Sequence, residues 1–598
     1  MTNGHTFHIP VLGIGFSVDT PLKVSHLGID SVMSLSDDIL LEKLRKMYCE
    51  KFKINYNEIS DKIQDFRAKR ITAYLDLMND LVDEKVQEVK NSVTDNFDKI
   101  KEYVSTLPDA NEIKAEFDEL VGKHLSFSEA KEWVSQKFRK GSLDVNIMTK
   151  VDRENFVDGE KMPIEYNDAH AAVRGFANSS LESAVILSAG MSPRLYSYLS
   201  QFDDFYPNEQ GFIKKKIILK VSDYRSALIQ GQFLAKKGIW VSEYRIESGL
   251  NCGGHAFATE GMLLGPILED FRNKRGEFSE AIFGTLVSAL ERDGRAVPKD
   301  MLELKISAQG GVGTSEEHEF LLDYYNVDSV GWGTPFLLVP EATNVDEPTL
   351  NKLKGAEEKD LYLSGISPLG VPFNNLRDNT KDQEKRQLME KGRPGSSCPK
   401  KYLALDKSYD DKGMCTASRQ YQHLKIKELD ESDLSKEEYS AEYDRITEKA
   451  CICTGLGTSA LVNNDIERRR EGEGISVCPG PNMAYFDREM SLKEMIDHIY
   501  GRMNAISRND RPNMYVKELS LYVDYLKRKV SEVLMKSSAK DEKKLVKFSE
   551  NLKSGITYYE QLFRDNVEVF KEDLQQTLRQ LQIYNDKIDL IVIPIKNT

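Results

Sequence analysis

The chain has 598 residues, 40% of them hydrophobic and 30% charged, with a formal charge of 82 − 96 = −14. That balance excludes a disordered or collagen-like chain and disfavours a dedicated nucleic-acid binder, whose footprint is a basic field. At roughly 150 residues per domain the length exceeds one ordinary unit, so one large core domain with additions is expected.

The start, MTNGHTFHIPVLG, has neither the basic residues nor the apolar core of a signal peptide, and no run approaches the roughly 18 apolar residues of a membrane span. A soluble, cytoplasmic protein without membrane contact is the expectation. Seven cysteines are too few and odd in number for a disulfide framework.

In chain order, eight short β-rich runs appear: Val11–Gly15, Ser31–Leu35, Leu143–Met148, Ser183–Ser188, Lys216–Val221, Gly238–Ser242, Leu304–Ala308 and Asp328–Trp332. Short apolar runs separated by helical stretches imply parallel strands buried on both faces. Eight such units are the count of a TIM (β/α)8 barrel, with a doubly wound open sheet as the alternative. The barrel is assigned to residues 1–35 and 143–345. Between them, 36–142 reads as a helical insertion. Ile71, Tyr74, Leu75, Met78, Val82, Val86, Val89, Val93, Phe97, Ile100 and Val104 recur at three- and four-residue steps, one face of a long amphipathic helix. Residues 346–490 form a loop-rich, Cys-bearing extension. Residues 491–598 form a mostly helical region ending in a strand-like run, Ile588–Ile595. The exposed helix faces make a homodimer plausible.

Barrel ligands bind where strands end and loops begin. Those ends carry Gly13 and Gly15, Asn146, and the segment ESGLNCGGHAF (247–257) with Gly254 and His255. Further on come Gly310 and Gly311, then Gly331, Gly333 and Thr334. Glycines before a helix start let backbone N–H groups converge on an anion, and the loops after strands seven and eight are the usual phosphate site of such barrels. A phosphate handle suits FMN or a sugar phosphate; the strand-one glycines and Asn146 suit a flat ring across the mouth and favour a flavin, with a small-molecule substrate above it. Lys220 ends an apolar strand, where a charge is costly unless paired or pointed at a ligand. His170 reads as capping or packing, and His318 as a surface residue.

These residues resemble the nitronate monooxygenase (2-nitropropane dioxygenase) family of FMN-dependent TIM barrels. The family's opening strand and turn resemble Ile9-Pro-Val-Leu-Gly-Ile-Gly, and its Gly-Val-Asn strand resembles Asp144-Val-Asn. Its His-Lys-Val strand resembles Leu219-Lys-Val, and its Gly-Gly-His segment resembles Cys252-Gly-Gly-His. Its Ala-Gly-Gly-Ile and Gly-Thr turns resemble Ala308-Gln-Gly-Gly-Val and Gly333-Thr. Members with a cysteine-bearing extension are matched further by Ser367-Pro-Leu-Gly-Val-Pro, Val477-Cys-Pro-Gly-Pro-Asn-Met-Ala-Tyr and Ser491-Leu-Lys-Glu. The resemblance spans roughly 9–35 and 143–500. It implies that His255 moves the substrate proton as general base, next to a flavin whose neighbours are the glycines above, Asn146, Lys220 and Thr334.

Five cysteines, Cys398, Cys415, Cys451, Cys453 and Cys478, fall within eighty residues and suggest a local metal site. Their spacing is neither a zinc ribbon's nor the compact ferredoxin run. Two are followed by proline, and an iron–sulfur cluster is the expected occupant, with zinc the alternative. The expected activity is that of an FMN-dependent oxidoreductase of nitronate monooxygenase type. The alternatives are a flavin-dependent reductase of an enoyl-thioester-like acceptor, or a non-catalytic scaffold that binds a protein partner.

Overall fold

The computed structural model describes residues 4–92, 98–122, 127–188, 190–252, 260–536, 539–570 and 574–596. Eight parallel strands close into a barrel: β1 (Phe7–Ile9), β2 (Asp30–Ser34), β3 (Leu143–Ile147), β4 (Ser183–Leu187), β5 (Lys215–Val221), β6 (Glu243–Glu247), β7 (Lys305–Gln309) and β8 (Ser329–Gly331). Each pairs with its neighbours in sequence, and β8 returns to β1 through Phe7 opposite Val330. This is the TIM-barrel arrangement. β4 is buried at all five positions, as a strand covered on both faces must be.

Two strands differ from the sequence expectation. β1 lies at Phe7–Ile9 rather than Val11–Gly15, because Pro10 has no N–H to carry the ladder onward. β6 is Glu243–Glu247, not the apolar Gly238–Ser242. Ile239, Trp240 and Val241 are buried in the approach to the strand. The strand itself alternates Tyr244 and Ile246 with charged residues. Arg245 pairs with Glu243 at 2.8 Å, and Glu243 also accepts from the Ser307 hydroxyl. Burial pushes the Glu243 carboxyl up, but Arg245, His8 and Ser307 more than offset that and hold it below the usual range. A paired charge can therefore line a barrel interior that an unpaired one could not.

Asp144, on β3, is buried and accepts from Ala184 N (2.9 Å) and Ser142 Oγ (2.9 Å). Burial, aided by Asp30, raises its carboxyl to about 7. A carboxyl raised in the folded state keeps a proton that the unfolded chain has shed. Its contribution is complete below the ordinary carboxylate range and is lost as pH rises to about 7. Asp144→Asn is expected to flatten this dependence, gaining stability over the parent at pH 8 relative to pH 5, by roughly 2–3 kcal/mol. Denaturation midpoints at both pH values check it; parallel pH profiles for the two proteins would contradict it.

The segment between β2 and β3 is helical: Asp38–Phe52, Phe66–Asn91, Asp98–Thr106, Glu112–Gly122 and Phe127–Lys137. Of the expected long helix the structure describes Phe66–Asn91 and Asp98–Thr106; Val93 and Phe97 lie outside the described residues. The longer buries Ile71, Tyr74, Leu75, Met78, Val82, Val86 and Val89, and packs on the helices Thr20–Val24 and Asp168–Ala177. It therefore supplies an outer helix of the barrel. After the barrel come a two-stranded ribbon (Leu361–Ser364 with Phe373–Leu376) and the buried helix Ile452–Asn463. The last helices, Met514–Lys536, Ala539–Asp565 and Leu574–Lys596, pack on one another and against Leu264–Arg292. The run at 588–595 is helical, not a strand. Ile588, Val592 and Ile595 are buried at three- and four-residue steps, while Leu590 and Ile593 are exposed. No helix among the described residues is long and apolar enough to cross a membrane.

Candidate functional site

A cavity of about 1360 Å³, counted with its open mouth, sits where the barrel strands end. Gly13, Ser34, Asn146, Ser188, Lys220 and Glu247 reach it from β1 to β6 or from the turns just after them. The outer wall comes from beyond the barrel: Phe373, Tyr402, Ile452, Cys453 and Leu456. Arg67, from the inserted helix Phe66–Asn91, lines it too, together with Lys150.

Lys220 Nζ lies 2.8 Å from Glu247 Oε1. The same oxygen accepts from Asn251 Nδ2 (2.6 Å) and Gln309 Nε2 (3.2 Å), and Gln309 also donates to Asn251 Oδ1 at 2.8 Å. The network fixes the lysine at the cavity wall with its charge compensated. Asn146 Oδ1 is different: it is buried and has no hydrogen-bond partner among the described residues. Such an orphan costs about 1–3 kcal/mol unless a ligand or water satisfies it. Arg67 is held by Asp38 (2.6 Å) and by the Asp168 carbonyl (3.2 Å). Burial works against its charge, but Asp168 and Asp38 keep it firmly protonated.

Of the residues expected around a cofactor, Gly13, Asn146 and Lys220 come together on this cavity. Gly15 serves helix packing instead. Its N–H donates to Leu456 O at 2.8 Å, and a side chain there would meet the Gly457 carbonyl at 2.7 Å. The glycines of loops seven and eight face protein. Gly310 abuts the Asn251 backbone, Gly311 abuts Leu250, Gly331 lies against Gln309 and His8, and Gly333 lies against Cys252. Thr334 bonds the Cys252 thiol. Asn482 Nδ2 donates to the carbonyls of Gly311 (2.7 Å) and Val312 (2.9 Å), and Arg511 Nη2 to Gly311 O (2.9 Å). Where an anion was expected, the Gly313 N–H meets the chain's own Glu317 carboxylate at 2.9 Å. Gly254 and His255 lie outside the described residues.

His170 pairs with Asp152 at 2.8 Å inside the fold. His318, expected at the surface, is buried and bonds Trp332 Nε1 (3.1 Å) and Thr6 (2.9 Å). Burial lowers it to about 3, so it is a neutral core acceptor. Glu247 was missed as a site residue, although it ends its strand as Lys220 ends β5. Arg67 and Tyr402 gave no sequence signal, since each comes from an element whose docking no local pattern reveals.

No family model matches the chain, and no curated protein sequence matches it. Among solved structures it is similar to the nitroalkane oxidase from Streptomyces ansochromogenes, at 11% identity over 83% of this chain and 94% of that one. The TM-score is 0.31. A likeness of that degree carries no argument for chemistry, and the barrel rests on its own strand pairings.

None of the cysteines is disulfide-bonded. Cys398, Cys415, Cys451, Cys453 and Cys478 share one small buried cluster. No three or more His, Cys, Asp or Glu side chains among the described residues stand together as a formed metal site.

Proposed function

We propose that the chain is a flavin-dependent oxidoreductase of the nitronate monooxygenase type, acting on a small carbon acid. The observation that carries the reading is the cavity at the strand ends, with the orphaned Asn146 Oδ1 and the anchored Lys220 on one wall. A flat ring suits that donor and acceptor set. Asn146 and Lys220 would hold the ring of FMN and Gly13 would allow close backbone approach. The cation Lys150 on the same cavity is a further group that would suit its phosphate. A bound flavin supplies a two-electron acceptor. The chain's own work is to hold the substrate against it, exclude water with Phe373 and Leu456, and take a proton. His255 is the base in this reading, a role carried by the resemblance of Cys252-Gly-Gly-His. An imidazole titrates near pH ~6.5 and can accept a proton from carbon beside a nitro or carbonyl group.

Lys220→Met tests the cavity. Loss of one charged hydrogen-bond donor is expected to weaken FMN retention about 10- to 100-fold. The double variant Lys220→Met/Glu247→Gln removes the carboxylate left behind and controls for misfolding. Equal FMN content in parent and variants, measured after acid release, would sink this placement.

A further inference from the structure

We propose that Cys398, Cys415, Cys451 and Cys453 form a tetrathiolate site for one zinc ion, set against the outer wall of the barrel-mouth cavity. The proposal stands apart from the flavin reading, since it uses no cavity ligand.

Three chain segments meet there, around Cys398, Cys415 and Cys451–Cys453. All four thiols are buried in one cluster, with Cys398 within interaction range of Cys415 and Cys451, and Cys453 of Cys451 and Cys415. Cys451 Sγ and Cys453 Sγ are 4.0 Å apart. Four thiolates at about 2.3 Å from one zinc stand roughly 3.8 Å from each other, so this pair already has the edge length of the tetrahedron. In an iron–sulfur cube each thiolate holds a different iron, which sets the sulfurs farther apart; the geometry therefore favours zinc over the cluster expected from sequence. The thiols are now paired with one another rather than turned to a common point, so loading requires side-chain rotation and releases their protons.

The surroundings point the same way. Between the helices Thr380–Glu390 and Arg419–Asp430 the chain has no regular element, only isolated bridges at Ser396–Ser418 and Asp406–Met414. A loop that long inside a packed structure needs a staple. Its core is small: besides the thiols it holds Tyr402, Leu403, Ala404, Ala417, Ala450 and a few apolar neighbours. Cys398 sits in the left-handed region (φ 50°), a strained setting for a side chain with a Cβ, which persists where the surroundings over-determine it. Lys381 and Lys400 lie near Cys451 and Cys453, each also paired with a carboxylate, Glu384 and Asp37 respectively.

Cys478 is left out of the four: its thiol is within electrostatic reach of Cys252, and its carbonyl accepts from the Cys252 thiol at 3.0 Å. The ion would fix the N-terminus of helix Ile452–Asn463, whose Ile452, Cys453 and Leu456 line the cavity and whose Leu456 carbonyl receives the Gly15 N–H.

The test is elemental analysis of the full chain, purified without metal-affinity resin, beside the variants C415S, C451S and C478S. One zinc per chain is expected in the parent and in C478S, and less than a tenth of that in C415S and C451S. Reconstitution of the parent with cobalt guards against variants that fail to fold, and is expected to give the intense visible bands of a tetrahedral thiolate site. Iron in place of zinc, a zinc content unchanged in C415S, or folded parent protein that is metal-free after zinc and cobalt addition would each overturn the proposal.

Discussion

Arg511→Ala is expected to destabilise the chain by about 3–5 kcal/mol, the cost of stranding a buried carboxylate. Arg511 meets Glu317 through two nitrogens, each at 2.8 Å, and both side chains are almost wholly buried. Glu317 also receives the N–H groups of Gly313 (2.9 Å) and Met514 (2.8 Å). One ion pair thus ties the turn after β7 to the start of helix Met514–Lys536. Without the guanidinium the carboxylate keeps two backbone donors but loses its counter-charge. Removing both partners costs less than removing one, so Arg511→Ala/Glu317→Gln is expected to recover part of the loss. Urea denaturation followed by tryptophan fluorescence checks this, since Trp332 is buried at the end of β8. A single variant within 1 kcal/mol of the parent, a bound set by the usual worth of a surface pair, would show that Glu317 is solvated.

His255→Gln is expected to lower turnover of a nitronate or nitroalkane about 10²- to 10⁴-fold, the usual worth of a positioned general base. FMN content should hold steady, because a residue that moves the substrate proton need not hold the ring. The rise of kcat/KM through the imidazole range, near pH ~6.5, should vanish in the variant. Unchanged turnover, or loss of FMN in step with activity, would remove the catalytic role and leave a cofactor contact.

Much of the barrel was legible because its strands are short apolar runs separated by helices, a pattern set by burial on both faces. It misled where apolarity and strand parted. Glu243-Tyr-Arg-Ile-Glu is a barrel strand whose charges are met by one another, by Ser307 on β7 and by Lys220 on β5, and no single-strand pattern shows that pairing. The run at 588–595 looked like a strand because every apolar residue was counted alike; the helix exposes Leu590 and Ile593 and buries Ile588, Val592 and Ile595. At the site, Asn146 and Lys220 were readable from their place at strand ends. The outer wall was not, since Tyr402 and Cys453 reach the cavity only through long-range docking of the extension. The glycines of loops seven and eight have the composition of a phosphate cradle, yet in loop seven Asn482 and Arg511, nearly two hundred residues on, take up the Gly311 carbonyl. Five neighbouring cysteines suggested a metal; which four belong together depends on side-chain convergence that spacing does not encode.

The most direct test of the flavin assignment is the visible spectrum of the purified full chain, before and after acid precipitation. The account predicts the two bands of an oxidised flavin, passing into the supernatant as FMN, and bleaching of the bound flavin when substrate is added without oxygen. A colourless protein that takes up no added FMN would contradict it and leave the barrel as a scaffold for a partner.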